Sequence, residues 1–195
     1  MGTNENPTRI WLAIGLAATV AWGIFLATAG PRPGSGSAPS LEPPIPPIRA
    51  DFAWNLLDVD GKPVEFAKFR GRPILLTLWA TWCGPCLQEM PSIAALAENP
   101  RLKAKGFAVV CVSVDESAAT LRRFVEGKPW KMTILRATSL PPAFLTDGIP
   151  ATFLIAPDGR VAAAQLGTAR WDDPSVVDFL EKLAVPDLQA GPIRP

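Results

Sequence analysis

Three short apolar runs, Ile74–Trp79, 107–114 and 151–156, each with β-branched or aromatic residues, alternate along the chain with segments of helical periodicity. Apolar character without alternation marks strands buried on both faces, as in a sheet covered by helices. One helical pattern follows Cys83, where Leu87, Met90, Ile93 and Ala97 recur at the spacing of a single helix face, and a second covers 118–126. A third, Pro174–Leu183, opens with proline in its first turn after Asp172-Asp173 and directs Val176, Leu180 and Leu183 inward. Asp60-Gly61 and Asp158-Gly159 sit between strand-like pieces and predict hairpin turns. Strands separated by helices predict an α/β fold whose sheet contains parallel pairs and carries helices on both faces. The 195 residues accommodate one such domain, without room for a second of full size, and show no internal repeat.

The chain ahead of this domain has a different character. Residues 10–29 carry no charge, and at about 1.5 Å per residue they match the roughly 30 Å of bilayer hydrocarbon. Trp11 at the start of this run suits a headgroup region, and Arg9 precedes it. These features predict a membrane-spanning anchor. A cleaved signal peptide ending at Ala27-Thr28-Ala29 is the alternative, and both export the rest of the chain. Residues 30–49, rich in proline and glycine and including Pro43-Pro44 and Pro46-Pro47, predict a semi-rigid extended tether. The expected organisation is a short cytoplasmic N-terminus (1–9), the anchor or signal (10–29), the linker (30–49), the globular domain (50–185) and a C-terminal tail (186–195).

Composition excludes several chemistries. With 19 Lys+Arg against 18 Asp+Glu the net charge is +1, which supplies no basic face for a nucleic-acid partner. Histidine is absent, which removes Ser-His-Asp and Cys-His catalysis and zinc sites built from Cys and His. Three cysteines are too few for a four-thiolate zinc site, and their odd number argues against a disulfide-stapled fold. No metal site is expected.

What remains is Trp82-Cys83-Gly84-Pro85-Cys86, placed where the strand Ile74–Trp79 ends and a helix begins. A cysteine at a helix N-terminus faces unpaired backbone N–H groups and the positive end of the helix dipole, which stabilise its thiolate. Cys83 is therefore the expected nucleophile, and Cys86, within the first turn, the thiol that attacks a mixed disulfide on Cys83 and releases the partner in reduced form. Attachment of c-type haem needs His after the second Cys, where this chain has Leu87. The pair predicts a redox-active disulfide that needs no other cofactor.

Together with Trp79-Ala80-Thr81 before it and Gly148-Ile149-Pro150-Ala151-Thr152 downstream, this motif resembles the thioredoxin superfamily, and the membrane-anchored TlpA/ResA-type thiol-disulfide oxidoreductases of bacteria in particular. Asp58-Val59-Asp60-Gly61-Lys62-Pro63-Val64, Glu89-Met90-Pro91 and Pro157-Asp158-Gly159-Arg160 match the same branch, and the resemblance spans most of residues 51–183. It implies a thioredoxin fold, with a central mixed sheet flanked by helices and an added N-terminal hairpin, here preceded by one transmembrane helix. It also implies single-pass residence in the bacterial inner membrane, with the catalytic domain facing the periplasm or the outer side. The tasks typical of such proteins are keeping thiols reduced for cytochrome c maturation or for copper-centre assembly in cytochrome oxidase.

The resemblance transfers position by position. Pro150 corresponds to a cis-proline facing the Cys pair; lacking an N–H, it leaves neighbouring backbone groups, such as those of Ile149, to pair with an extended substrate. Trp82, Gly84, Pro85, Ile149 and Pro150 are the expected substrate-binding set. Trp79 and Trp82 match the aromatic frame of the motif, with Trp82, beside the nucleophile, as the partner contact. Pro91 falls where thioredoxin-like helices kink. Glu89, near the Cys86 face by helix geometry, matches an acidic residue that tunes or deprotonates the cysteines; a solvated helix charge is the alternative. Thr77 departs from the pattern. Thioredoxin has a buried acid there, so that proton route is missing, and whether Glu89 takes its place stays open. Cys111 reads as a small hydrophobe in a buried strand. Gly167 with Trp171-Asp172-Asp173 reads as a surface loop, and Pro141-Pro142-Ala143-Phe144 as a segment leading into the cis-proline loop with no assigned chemistry.

The expected activity is that of a membrane-tethered protein-disulfide reductase acting on disulfides of exported proteins. Oxidases of the DsbA kind, which the site also resembles, place His between the cysteines to stabilise the thiolate; Gly84 and Pro85 stand there in this chain and favour a reductant. An exported reductase draws electrons through the membrane, and the implied donor is a thiol carrier of the DsbD/CcdA kind. Three alternatives share the motif. A disulfide-donating oxidase reverses the electron flow. A metallochaperone would hold Cu(I) on Cys83 and Cys86, which a cis-Pro150 opposes. A peroxiredoxin-like peroxidase needs a proline and threonine in a different register from Thr81.

Overall fold

The computed structural model describes residues 37–184. The expected anchor or signal at 10–29, the start of the linker and the tail at 186–195 lie outside these residues. Among the described residues, no helix is long and apolar enough to cross a membrane.

In chain order the elements are β1 (Asn55–Leu57), β2 (Pro63–Glu65), β3 (Ile74–Trp79), α1 (Gly84–Glu98), α2 (Pro100–Ala104), β4 (Ala108–Ser113), α3 (Ala118–Val125), β5 (Thr133–Arg136), β6 (Ala151–Ile155), β7 (Val161–Leu166) and α4 (Pro174–Leu183). The strands form one seven-stranded mixed sheet in the order β2-β1-β5-β4-β3-β6-β7. β3, β4 and β5 run parallel, and the remaining pairings are antiparallel. Every residue of β3, β4 and β6 is buried, which is why these strands show unbroken apolar runs.

Both predicted hairpins are present. β1 pairs with β2, and Asp58 organises the turn between them, accepting the N–H groups of Asp60 and Lys62 on its side chain and that of Gly61 on its carbonyl. β6 pairs with β7 around Gly159, whose positive φ of 87° favours glycine. A Cβ at Gly159 would also lie 3.1 Å from the Phe52 ring.

The expectation of α-helices on both faces is corrected. Buried residues of all four, including Met90, Ile93, Leu102, Leu121, Val176 and Leu180, join Leu75, Trp79, Cys111 and Leu154 on one face of the sheet. The connections β3-α1-β4 and β4-α3-β5 step along the sheet in the same direction, and right-handed crossovers that do so place their helices on the same side. The other face, with Ile74, Leu76, Leu78, Val110 and Val112, is covered by aromatic residues instead. Phe52 and Trp54 come from the segment before β1, and Phe66, Phe69 and Phe144 from two 3-10 turns, Phe66–Phe69 and Pro142–Phe144.

Residues 37–49, the second half of the expected tether, lie against the domain. Ser37 O accepts the Arg170 N–H, the Ser40 N–H donates to Gln165, and Ile48 O accepts the Val161 N–H. Arg49 forms an antiparallel bridge with Arg160. Prolines withhold donors here, but Ser37, Ser40 and Ile48 still pair with the domain.

Candidate active site

β3 ends at Trp79, and the chain passes through Ala80-Thr81-Trp82 into α1 at the carboxyl end of the parallel strands, where α/β sheets place their reactive groups. Cys83 is the N-cap of α1, with φ −85° and ψ 96°, and its Sγ accepts the Cys86 N–H at 3.2 Å. Pro85 lies in the first turn, where an absent N–H leaves no helical bond unmade. Cys83 and Cys86 are joined in a disulfide with their Cα atoms 5.3 Å apart. Cys86 is wholly enclosed and Cys83 is the outer sulfur, while Trp82 beside it is 71% exposed. Gly84 and Pro85 are also at the surface.

Facing this pair is the loop before β6. Its Ile149–Pro150 bond is cis, and the Ile149 carbonyl oxygen lies 3.8 Å from Cys83 Sγ. Pro150 O accepts the Gly167 N–H, which ties the loop to the end of β7. From the other side, the Thr81 N–H and hydroxyl both donate to the Asp115 carboxylate, at 3.0 and 2.7 Å, and Ser113 Oγ donates to it at 2.6 Å. The approach to Cys83 is thus clamped to the end of β4.

One turn beyond Cys86, Glu89 is 1% exposed, and the reading of a solvated helix charge is corrected. Its Oε2 accepts the Ala169 N–H and the Trp171 indole N–H, each at 3.2 Å, and its Oε1 lies 3.5 Å from the donating Thr77 hydroxyl. Removal from water pushes the carboxyl up from 4.5 to about 7, outweighing these three donors. Cys111 is a buried free thiol on β4, pushed well above its ordinary value by burial and then by the Glu89 charge. Its reading as core packing agrees with its complete burial.

Residues 36–180, well over half of the chain, match the Redoxin family. The chain belongs to the Redoxin family. It is 30% identical over 112 residues to thiol-disulfide oxidoreductase ResA of Bacillus cereus, covering 56% of this chain and 64% of that protein. ResA of Geobacillus kaustophilus is 32% identical over 120 residues, covering 60% and 68% respectively. The chain thus spans about two thirds of the length of these curated relatives, slightly less for the first. A protein of Chlorobium tepidum assigned as thiol:disulfide interchange protein DsbE superposes with a TM-score of 0.55 at 28% identity, over 69% of this chain and 94% of its own. These relatives place the Redoxin-family chain in the ResA-type branch of the thioredoxin superfamily, and the mixed sheet is that fold.

The Redoxin-family site gathers Cys83, Cys86, Ile149 and Pro150 at one place, with Trp82, Gly84 and Pro85 at its open side and Glu89 beneath. Pro91 lies inside α1, withholding the N–H that would bond the Leu87 carbonyl. Trp79 is core, packed against Phe124 and Trp130. Trp171 corrects the surface-loop reading, since it is 1% exposed and its indole holds Glu89. Asp115 escaped sequence reasoning; its one usable signal was an acid two residues past a buried strand. Thr152 stood in the cis-proline motif without a role, because its hydroxyl is significant only through the side chain opposite it. Among the described residues, no group of three or more Cys, Asp or Glu side chains is placed to hold a metal ion.

Proposed function

We propose that this chain is a thiol-disulfide oxidoreductase that reduces disulfides in exported proteins. The observation that carries the reading is the Cys83–Cys86 disulfide at the α1 N-terminus, set against the Ile149–Pro150 loop with Trp82 exposed beside it. The relatives named thiol-disulfide oxidoreductase support it.

In the reduced protein, the Cys83 thiolate receives the first-turn N–H of Cys86 and the positive end of the helix dipole. It attacks one sulfur of a substrate disulfide, forming a mixed disulfide and expelling the other substrate sulfur as a thiolate, which takes a proton. Cys86, as a thiolate, then attacks Cys83 Sγ, closes the enzyme disulfide and expels the second substrate thiol. Two electrons pass from the Cys pair to the substrate. Glu89, ionising near neutrality one turn from Cys86, is placed to take the proton that Cys86 must lose. The Ile149 backbone offers strand pairing to the peptide around the target cysteine, and Trp82 an apolar contact.

In this reading residues 10–29 tether the domain to the bacterial inner membrane on its extracytoplasmic side, and the oxidised pair is recharged by a membrane thiol carrier of the DsbD/CcdA kind. Substrates of the cytochrome c or cytochrome oxidase copper-centre maturation type fit this placement. Equilibrating the full-length chain against thiol buffers tests the direction of electron flow. A potential near about −270 mV, that of thioredoxin, is expected, and a value near about −120 mV would recast the protein as a donor of disulfides. Cys83→Ser abolishes exchange in the same assay.

A further inference from the structure

Two buried threonine hydroxyls beneath the Cys pair have no part in the steps above. Thr77 on β3 and Thr152 on β6 are 0% and 2% exposed. They are direct partners in the antiparallel ladder, so strand register holds their side chains together on one face of the sheet. Thr152 Oγ1 donates to Thr77 Oγ1 at 2.9 Å, and Thr77 Oγ1 donates to Glu89 Oε1 at 3.5 Å. Both lone-pair directions of Glu89 Oε2 face N–H groups, those of Ala169 and the Trp171 indole, which cannot turn into acceptors. A hydroxyl, by contrast, owns one proton and rotates. By giving its proton to Thr77, Thr152 leaves the proton of Thr77 facing the carboxylate.

Counting protons shows which form of Glu89 this line of oxygens suits. With the carboxylate ionised, two hydroxyl protons occupy two oxygen-to-oxygen links and none is left over. A proton added to Glu89 must sit on Oε1, because Oε2 is taken. Three protons then compete for the same two links, and one O–H loses its acceptor within the line.

We propose that Thr77 and Thr152 are a positioning pair that favours the ionised form of Glu89, Thr77 by direct donation and Thr152 only through Thr77. The consequence for catalysis rests on the oxidoreductase reading, in which Glu89 serves Cys86. Among the described residues, the other titratable groups toward Glu89 are Cys86 on α1 and the Cys111 thiol on β4; β3 and β6 add none. On the connection after β7, Arg170 and Asp172 pair with each other and Asp173 caps α4.

The test is a pH titration of the infrared carboxyl band of Glu89 in the full-length oxidised chain, the band being identified by its loss in Glu89→Gln. Thr77→Val raises the midpoint by about half to one pH unit, the loss of one long charge-assisted bond. Thr77→Ser restores it, and Thr77→Ala serves if valine perturbs the strand. Thr152→Val gives a smaller rise and adds nothing in the Thr77→Val background, because it acts only through that hydroxyl. An unmoved midpoint in both Thr77→Val and Thr77→Ala, or an equal effect of Thr152→Val in the two backgrounds, overturns the proposal. The pH profile of disulfide exchange reads the second question separately. A profile that stays fixed while the infrared midpoint moves as described supports the pair and removes Glu89 from the exchange reaction.

Discussion

Glu89 and Cys111 are two ionisable side chains whose behaviour is governed by burial more than by their immediate partners. Glu89 loses its proton around pH 7 in the folded protein, whereas in the unfolded chain it does so around pH 4.5. Over that interval the folded state binds more protons, so stability falls as pH rises through it, by up to about 3 kcal/mol. The penalty is absent below that window and complete above it. Thermal melts at both ends should show a larger loss in the wild type than in Glu89→Gln; equal losses would mean that Glu89 titrates normally. Cys111 is enclosed in β4. Alkylation of the native reduced chain therefore modifies Cys83 and leaves Cys111 untouched, as peptide mapping will show. At this scale the sequence revealed Cys83, Cys86 and Pro150, whose motifs are contiguous in the chain. It left Glu89 undecided, because the Trp171 indole that holds it is 82 positions away.

Elements were legible where local pattern and burial agree. The run Ile74–Trp79 and the helix Pro174–Leu183 have the expected limits, β6 and α3 end one residue early, and β4 is shorter by one residue at each end. β5 was not, since only Leu135 of its four residues is fully buried and the strand is recognisable chiefly by its pairing with β4. α2 was missed too; its five residues are too few to show a helical period, and its start is set by Asn99, which caps the Arg101 N–H. The junction between β3 and α1 depends on Asp115, which receives both donors of Thr81. Asp115→Ala strands these half-buried donors and the buried Ser113 hydroxyl, and lowers stability by about 3 kcal/mol, measured by chemical unfolding. Faster proteolysis between Trp79 and Cys83 should accompany it. Asp115→Asn keeps acceptor capacity on one oxygen and falls between the two.

In the molecule as a whole, stability is unevenly distributed between its apolar faces and its surface charges. Phe66 is completely buried where Phe52, Phe69 and Phe144 meet over the face that carries no α-helix. Phe66→Ala should cost about 3–5 kcal/mol, the range for deleting a fully buried phenylalanine side chain. Arg101, which pairs with Asp178 and Glu181 to link α2 with α4, stands half-exposed in solvent, and Arg101→Ala should leave the melting temperature almost unchanged at physiological salt. Comparable losses in the two variants would contradict this distribution. By itself the sequence determined the α/β alternation, both hairpins and the cysteine pair at a helix start, because each depends on residues within one strand, turn or helical turn of one another. Only the tertiary structure decided that the α-helices share one face, that residues 37–49 lie on the domain, and that Thr77, Thr152, Trp171 and Glu89 meet. Those outcomes follow from the stepping direction of the crossovers and from removal of water by segments far apart in the chain, neither of which has a local signature.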